Sequence, residues 1–290
     1  MYWWQAACQK PNQDVYDQAL AHQLQLTKPS GALADLEGLA VHLASLQGQV
    51  KPQLDLPWIT IFAGDHGVME EQISAYPQAV TRQMLQNFTT GGACISVIAK
   101  TYGAHLQVID CGTVGEPYEY AGVEQHCILP GTYNFAQTQA MPIEACAAAL
   151  QLGMASVETA KSQGASIYVA GEMGIGNTCS AAALACLLLN ESAEQLTGVG
   201  TGINAQQLQH KKQVIDQALA LHRDQVKDDA FLALCAVGGL EVAAMTGAYI
   251  RAALVGLPVV VDGFISTAAA LTAVRMNAKV RDWILFGHQS

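Results

Sequence analysis

The residues with the most chemical potential lie in Ala165–Ser180, ASIYVAGEMGIGNTCS. Gly171, Gly174 and Gly176 interrupt an apolar run, and Asn177 and Thr178 open the helical stretch SAAALACLLL. Glycines let backbone approach a ligand closely, and the free N–H groups of a helix start, aided by its dipole, can hold a phosphate. Glu172 sits inside this loop on the sequence reading, where it is of use only if it faces another part of the substrate. The pattern is not a P-loop, because no Gly-Lys-Ser/Thr follows, and Cys179 stands where a dinucleotide fingerprint needs its third glycine. On these residues alone, a phosphate site and a plain connecting turn are both open.

Similar junctions recur. Trp58–Ala63 reads as a strand running into Gly64-Asp65-His66-Gly67, and His105–Asp110 as a second strand ending in polar residues. Asp65 and His66 have the chemistry of metal ligands or an acid–base pair, but without a third ligand at a recognisable spacing the reading preferred is that they hydrogen-bond loop backbone. Gly198–Gly202 is a second glycine loop, and the following helix carries His210, Lys211 and Lys212, the last read as facing solvent. Pro258–Val261 ends in Asp262-Gly263-Phe264, with Ser266 and Thr267 at the next helix start, and Trp283–Phe286 leads to Gly287-His288. Ser74-Ala75-Tyr76-Pro77 reads as a helix entry with Pro77 at the first helical position. Tyr76 and Gln83, about two turns apart, suit a flat heterocycle with one polar edge.

The elements that must position these residues alternate. Strands followed by helices over most of the chain imply an α/β fold with a doubly wound, mainly parallel sheet. Its carboxyl edge would gather Asp65, Asp110, Glu172, Asp262 and His288. Residues 1–50 carry two helical patterns without strands, one over Asn12–Leu26 and one capped by Ser30, and are expected to form a smaller helical lobe beside the 51–290 domain. Gly91–Tyr102 is expected to continue the helix before it, Cys111–Ala140 to be a turn-rich excursion, and Pro142–Gln163 a long helix.

Composition narrows the partners. Of 290 residues, 51% are hydrophobic and only 13% charged, which favours burial of surface in an oligomer. A net charge of −10 without a Lys/Arg cluster argues against nucleic acid. The eight cysteines form no C-x-x-C pair and read as reduced core residues. No basic leader followed by an apolar stretch opens the chain, and no uncharged apolar run reaches the roughly 18 residues of a membrane span, so a cytoplasmic protein is expected.

Taken together, FAGDHGV (62–68), SAYP with VTRQM (74–84), GEMGIGNT (171–178), GVGTG with Lys211, GGLEVAAMTGAY (238–249) and VDGFISTAAAL (261–271) resemble the nicotinate-nucleotide–dimethylbenzimidazole phosphoribosyltransferases of cobalamin lower-ligand assembly. The resemblance runs from about Leu33 to the last residue, with Cys179 where that family usually has threonine. It implies transfer of phosphoribose from nicotinate mononucleotide to dimethylbenzimidazole, giving α-ribazole phosphate and nicotinate, by a cytoplasmic homodimer without a cofactor or metal. It places Gly174, Ile175, Gly176, Asn177, Thr178, Gly200, Gly202 and Ser266 on the phosphoribosyl group, and Glu172 and Lys211 at the reacting nucleotide. Ser74, Tyr76, Gln83 and Met84 would border the base, with Asp65, His66, Asp262, Gly263 and His288 at the site's edge. That family runs on past the stretch matching Gly287–Ser290 to a Gly-Glu-Gly motif whose glutamate is the expected general base. The expectation for these 290 residues is therefore an intact nucleotide site without that proton acceptor. The other readings carried forward are a non-catalytic nucleotide-binding homologue and a transferase for a different azole or purine base.

Overall fold

The computed structural model describes residues 2–288; Met1 and the last two residues of the Gly287–Ser290 stretch lie outside it. Helices α1 (Gln13–Gln23) and α2 (Asp35–Gln47) precede strand β1 (Pro57–Gly64). Helices α3 (Ala79–Thr90) and α4 (Cys94–Tyr102) lead to β2 (His105–Gly112) and the short edge strand β3 (Val123–Gln125). Helix α5 (Ile143–Ser162) is followed by β4 (Ile167–Met173), α6 (Asn177–Leu189), α7 (Ala193–Leu196), α8 (Ala205–Val226), α9 (Ala230–Val237) and α10 (Leu240–Val255). Strand β5 (Val259–Val261), α11 (Phe264–Met276) and β6 (Ile284–Phe286) complete the described chain.

Six strands form one sheet in the order β3-β2-β1-β4-β5-β6, every pairing parallel. This is the doubly wound α/β architecture expected, with Rossmann-like strand order. The order reverses between β1 and β4, and in open α/β sheets ligands bind outside the carboxyl ends of the strands at that switch point. Apart from Pro57, β1 is buried throughout, as a central parallel strand covered on both faces must be. The register pairs Phe62 with Glu172 and Ala63 with Met173, so the Asp65-His66 loop and the Gly174 loop leave the sheet side by side.

The core beneath β1 and β4 is built on α5 and α10. Gly153 and Gly247 let these helices cross at backbone distance: a Cβ on Gly153 would lie 2.8 Å from Ala248 N. Close packing there fixes the N-terminus of α10 against the sheet's carboxyl edge. Trp4 joins the same core and stacks on Phe231, so the N-terminal segment is anchored to the body. Ala19, Val41 and Ala44 make a small cluster between α1 and α2, while Leu43 packs on Ile167 and Leu285 of the sheet.

Several boundaries differ from the sequence reading. Ser30 caps no helix; α2 begins five residues later, after Ala34 at φ 47°. Pro77 precedes the helix, which starts at Ala79. Gly91 ends α3 in the left-handed region, so α4 is a separate helix. Trp283 closes a 3-10 turn rather than opening the last strand, because Asn277 caps a turn over Ala278–Trp283. The change that matters most is at β4: Gly171 and Glu172 belong to the strand, since their partners Ile61 and Phe62 on β1 continue the ladder to Met173.

Candidate active site

Asp65, fully buried, connects three loops. Its Oδ1 accepts from Thr81 Oγ1 at 2.7 Å and its Oδ2 from Val114 N at 2.9 Å, while Thr81 Oγ1 in turn accepts from Ile175 N at 3.2 Å. The exit of β1, the loop after β2 and the glycine loop after β4 therefore share one carboxylate. Burial pushes that carboxyl above its ordinary range, against the bonds from Thr81 and Val114. Arg82, next to Thr81, holds the loop after β2 through Thr113 and the carbonyls of Gly115 and Glu116, and stacks over Tyr118.

Beyond β4, Gly176 at φ 101° caps α6 in the left-handed region, with Met69 Sδ 3.1 Å from where a Cβ would sit. Helix α6 thus begins beside the glycine loop, with Asn177 N donating to Gly174 O at 3.1 Å and Cys179 N to Gly176 O at 3.0 Å. From α8, a helix begun by the Asn204–Gln207 capping box, Lys211 reaches into the same place: it is 1% exposed, and its Nζ donates to Thr178 Oγ1 at 2.7 Å and to Gly198 O at 3.4 Å. A Cβ on Gly200 would lie 2.9 Å from Thr178 Oγ1 and 3.3 Å from that Nζ, so glycine is needed for the two loops to close around the lysine. Among the described residues no carboxylate pairs with Lys211. Burial pulls its ammonium below the ordinary lysine range, opposed only by Cys179. A buried lysine beside a helix start, with no acid to neutralise it, has the chemistry to hold an anion.

The partly buried Glu172 accepts from Asn177 Nδ2 at the start of α6. Burial, and then the charge of Glu241, raise its carboxyl from an ordinary 4.5 to about 7, with Asn177 and His66 opposing. A carboxyl poised there can exchange a proton near neutral pH. Glu241 itself, at the start of α10, is fully buried and holds His66 Nε2 at 2.6 Å. Sequence reasoning missed it as a site residue. The available signal was the one acid of this helix, two residues after Gly239, at the start of a long apolar run.

Other expected residues are distributed around this centre. Met84, Met173, Tyr118 and Tyr120 are partly buried and each packs against the apolar cluster that includes Ile61, Ala63 and Leu85 on the β2 side. Tyr76 and Gln83 are exposed, Ser74 Oγ accepts from Tyr76 N at 3.4 Å, and Gln78 ties this segment to His66 O at 3.0 Å. Ser266 is buried, with Oγ 3.4 Å from Ala170 O in β4. Asp262 and His288 pair with each other at 2.8 Å beyond β5 and β6, and Gly263 caps α11 at φ 84°. The structure thus brings Glu172, Gly174–Thr178, Gly200 and Lys211 together at the switch point, with Ser266 against Ala170, two residues before Glu172, and Asp262 and His288 paired beyond β5 and β6. Lys212 forms an outer ion pair with Glu194.

A protein-family model described as phosphoribosyltransferase matches residues 8–290. Nicotinate-nucleotide–dimethylbenzimidazole phosphoribosyltransferase from Pseudomonas fluorescens (strain SBW25) is 53% identical over 99% of this chain and 82% of its own length. The enzyme of that name from Pseudomonas syringae pv. syringae (strain B728a) is 52% identical over 99% of this chain and 81% of its own. Among solved structures, CobT from Thermus thermophilus superposes with a TM-score of 0.90 at 42% identity, covering 95% of this chain and 82% of that one.

Proposed function

The chain belongs to the nicotinate-nucleotide–dimethylbenzimidazole phosphoribosyltransferase family, and from that premise we propose how its residues move phosphoribose from nicotinate mononucleotide to dimethylbenzimidazole. The observation that carries the proposal is Lys211, buried without an acid partner between the two glycine loops. The nucleotide phosphate fits there, against the Lys211 ammonium and the positive end of the α6 dipole. The ribose then projects towards Glu172, and the azole lies against Met84, Met173 and Tyr118.

In the transfer an azole nitrogen forms a bond to C1′ as the C1′–pyridinium bond breaks. The electron pair of the broken bond neutralises the pyridinium, so nicotinate leaves without needing a proton. The azole N–H proton must go to a base, and Glu172 is the acceptor within these residues with a suitable affinity. Holding the two substrates in line supplies much of the rate. A homodimer is part of this proposal, supported by a composition with only 13% charged residues.

The test is nicotinate release from nicotinate mononucleotide, with and without dimethylbenzimidazole. Azole-dependent release, impaired in Glu172→Gln and Lys211→Ala, is expected; release unchanged by both substitutions overturns the residue assignment.

A further inference from the structure

The His66–Glu241 pair, joined at 2.6 Å, lies against Gly174 of the glycine loop after β4. Both side chains are fully inaccessible, and His66 Nδ1 and Glu241 Oε2 have no hydrogen-bond partner. Three glycines from three elements pack closely around the pair. A Cβ would lie 2.6 Å from Glu241 Oε2 on Gly239, 2.8 Å from it on Gly64, and 3.1 Å from Glu241 Oε1 and 3.2 Å from His66 Nε2 on Gly174. The ends of β1 and β4 and the entry to α10 are therefore shaped around these two groups, and Gly174 is two residues from Glu172. A buried ion pair is weak support for stability, because desolvation offsets its attraction. Its position beside a proton-handling carboxyl gives it a different use.

We propose that His66 and Glu241 are positioning residues for the transfer: the pair braces the Gly174 backbone and sets the field in which Glu172 takes up its proton. This rests on the function proposed above. The groups that bear on Glu172 are Glu241 from α10, His66 from the β1 exit and Asn177 from α6; Asp65 and Glu172 both bear on His66. Burial acts against a charged His66, but Glu241 and, further off, Asp65 and Glu172 outweigh it and hold the ring's proton. Glu241 acts on Glu172 more strongly than His66 does. Removing the two members should therefore move Glu172 in opposite directions.

The experiment is an infrared pH titration of the whole protein, with the protonated Glu172 carbonyl band identified by its absence in Glu172→Gln. The Glu172 midpoint is expected to fall in Glu241→Gln and to rise in His66→Asn, each by about half a pH unit, a threefold change in proton affinity. The acidic limb of the kcat/KM profile should follow the same two directions. Shifts of the same sign, or none, overturn the proposal. So does failure of both single variants to fold when a His66→Gln/Glu241→Gln double variant folds and titrates like the wild type, since the pair would then serve packing alone. The infrared readout needs no turnover, so an inactive wild type would contradict the transferase reading and leave this result separate.

Discussion

Lys211→Met separates binding from stability. The substitution keeps an unbranched side chain of similar reach and deletes the ammonium that bridges Thr178 and Gly198. One charge-assisted contact to phosphate is worth about 1.5–3 kcal/mol, so affinity for nicotinate mononucleotide should fall about 10- to 150-fold. The free protein should behave oppositely. Burial lowers the lysine's folded pKa, so charging it opposes folding, and wild-type stability rises as pH climbs from the folded value towards the unfolded one. Methionine has no such penalty, and the variant should melt at the same temperature as the wild type or higher. Calorimetric titration with the nucleotide, beside thermal melts with and without inorganic phosphate, measures both effects. Phosphate should raise the wild-type midpoint and leave that of the variant unmoved. Unchanged nucleotide affinity, or a loss of several kcal/mol of stability, would refute the anion-site assignment.

Glu172 has a folded pKa of about 7 against an ordinary 4.5, so the native state binds its proton more tightly and stability falls as pH rises through that window. Denaturant titrations of Glu172→Gln should show the variant gaining on the wild type by on the order of 2 kcal/mol between those limits, with a pH-independent difference as the contrary result. Gly200→Ala places a methyl group against Thr178 at φ 55°, and should cost about 1–2 kcal/mol and weaken nucleotide binding about tenfold; unaltered binding would mean the loops have room to spare. Gly153→Ala drives α5 off α10, and a loss of about 3 kcal/mol in thermal unfolding is expected; a loss below about 1 kcal/mol would deny the close helix crossing.

The alternation of apolar runs with glycine–polar junctions was enough to read the parallel sheet, because a central parallel strand must be apolar on both faces and its polar residues collect at its ends. The grouping of the Gly174 loop with Lys211 comes from the family resemblance, not from local pattern. Local pattern was less informative where tertiary contacts decide. Glu172 reads as loop because glycines flank it, yet pairing with β1 extends the strand through it. Ser266 reads as a phosphate candidate from the family resemblance and its place at a helix start after a glycine, but no local pattern foretells its contact with Ala170 O of β4. The partnership of Glu241 with His66 spans 175 residues of sequence, and no spacing rule reaches that far. Ala34 at a positive φ and the Gly91 break between α3 and α4 are likewise choices of packing.

The most direct measurement is chromatography with mass detection on this chain incubated with nicotinate mononucleotide and dimethylbenzimidazole. The account predicts nicotinate and α-ribazole phosphate in equal amounts, both dependent on the azole and both diminished in Lys211→Met and Glu172→Gln. A folded protein that binds the nucleotide and yields no ribazole product, or yields it equally well in both variants, would contradict the assignment of phosphate to Lys211 and of the proton to Glu172.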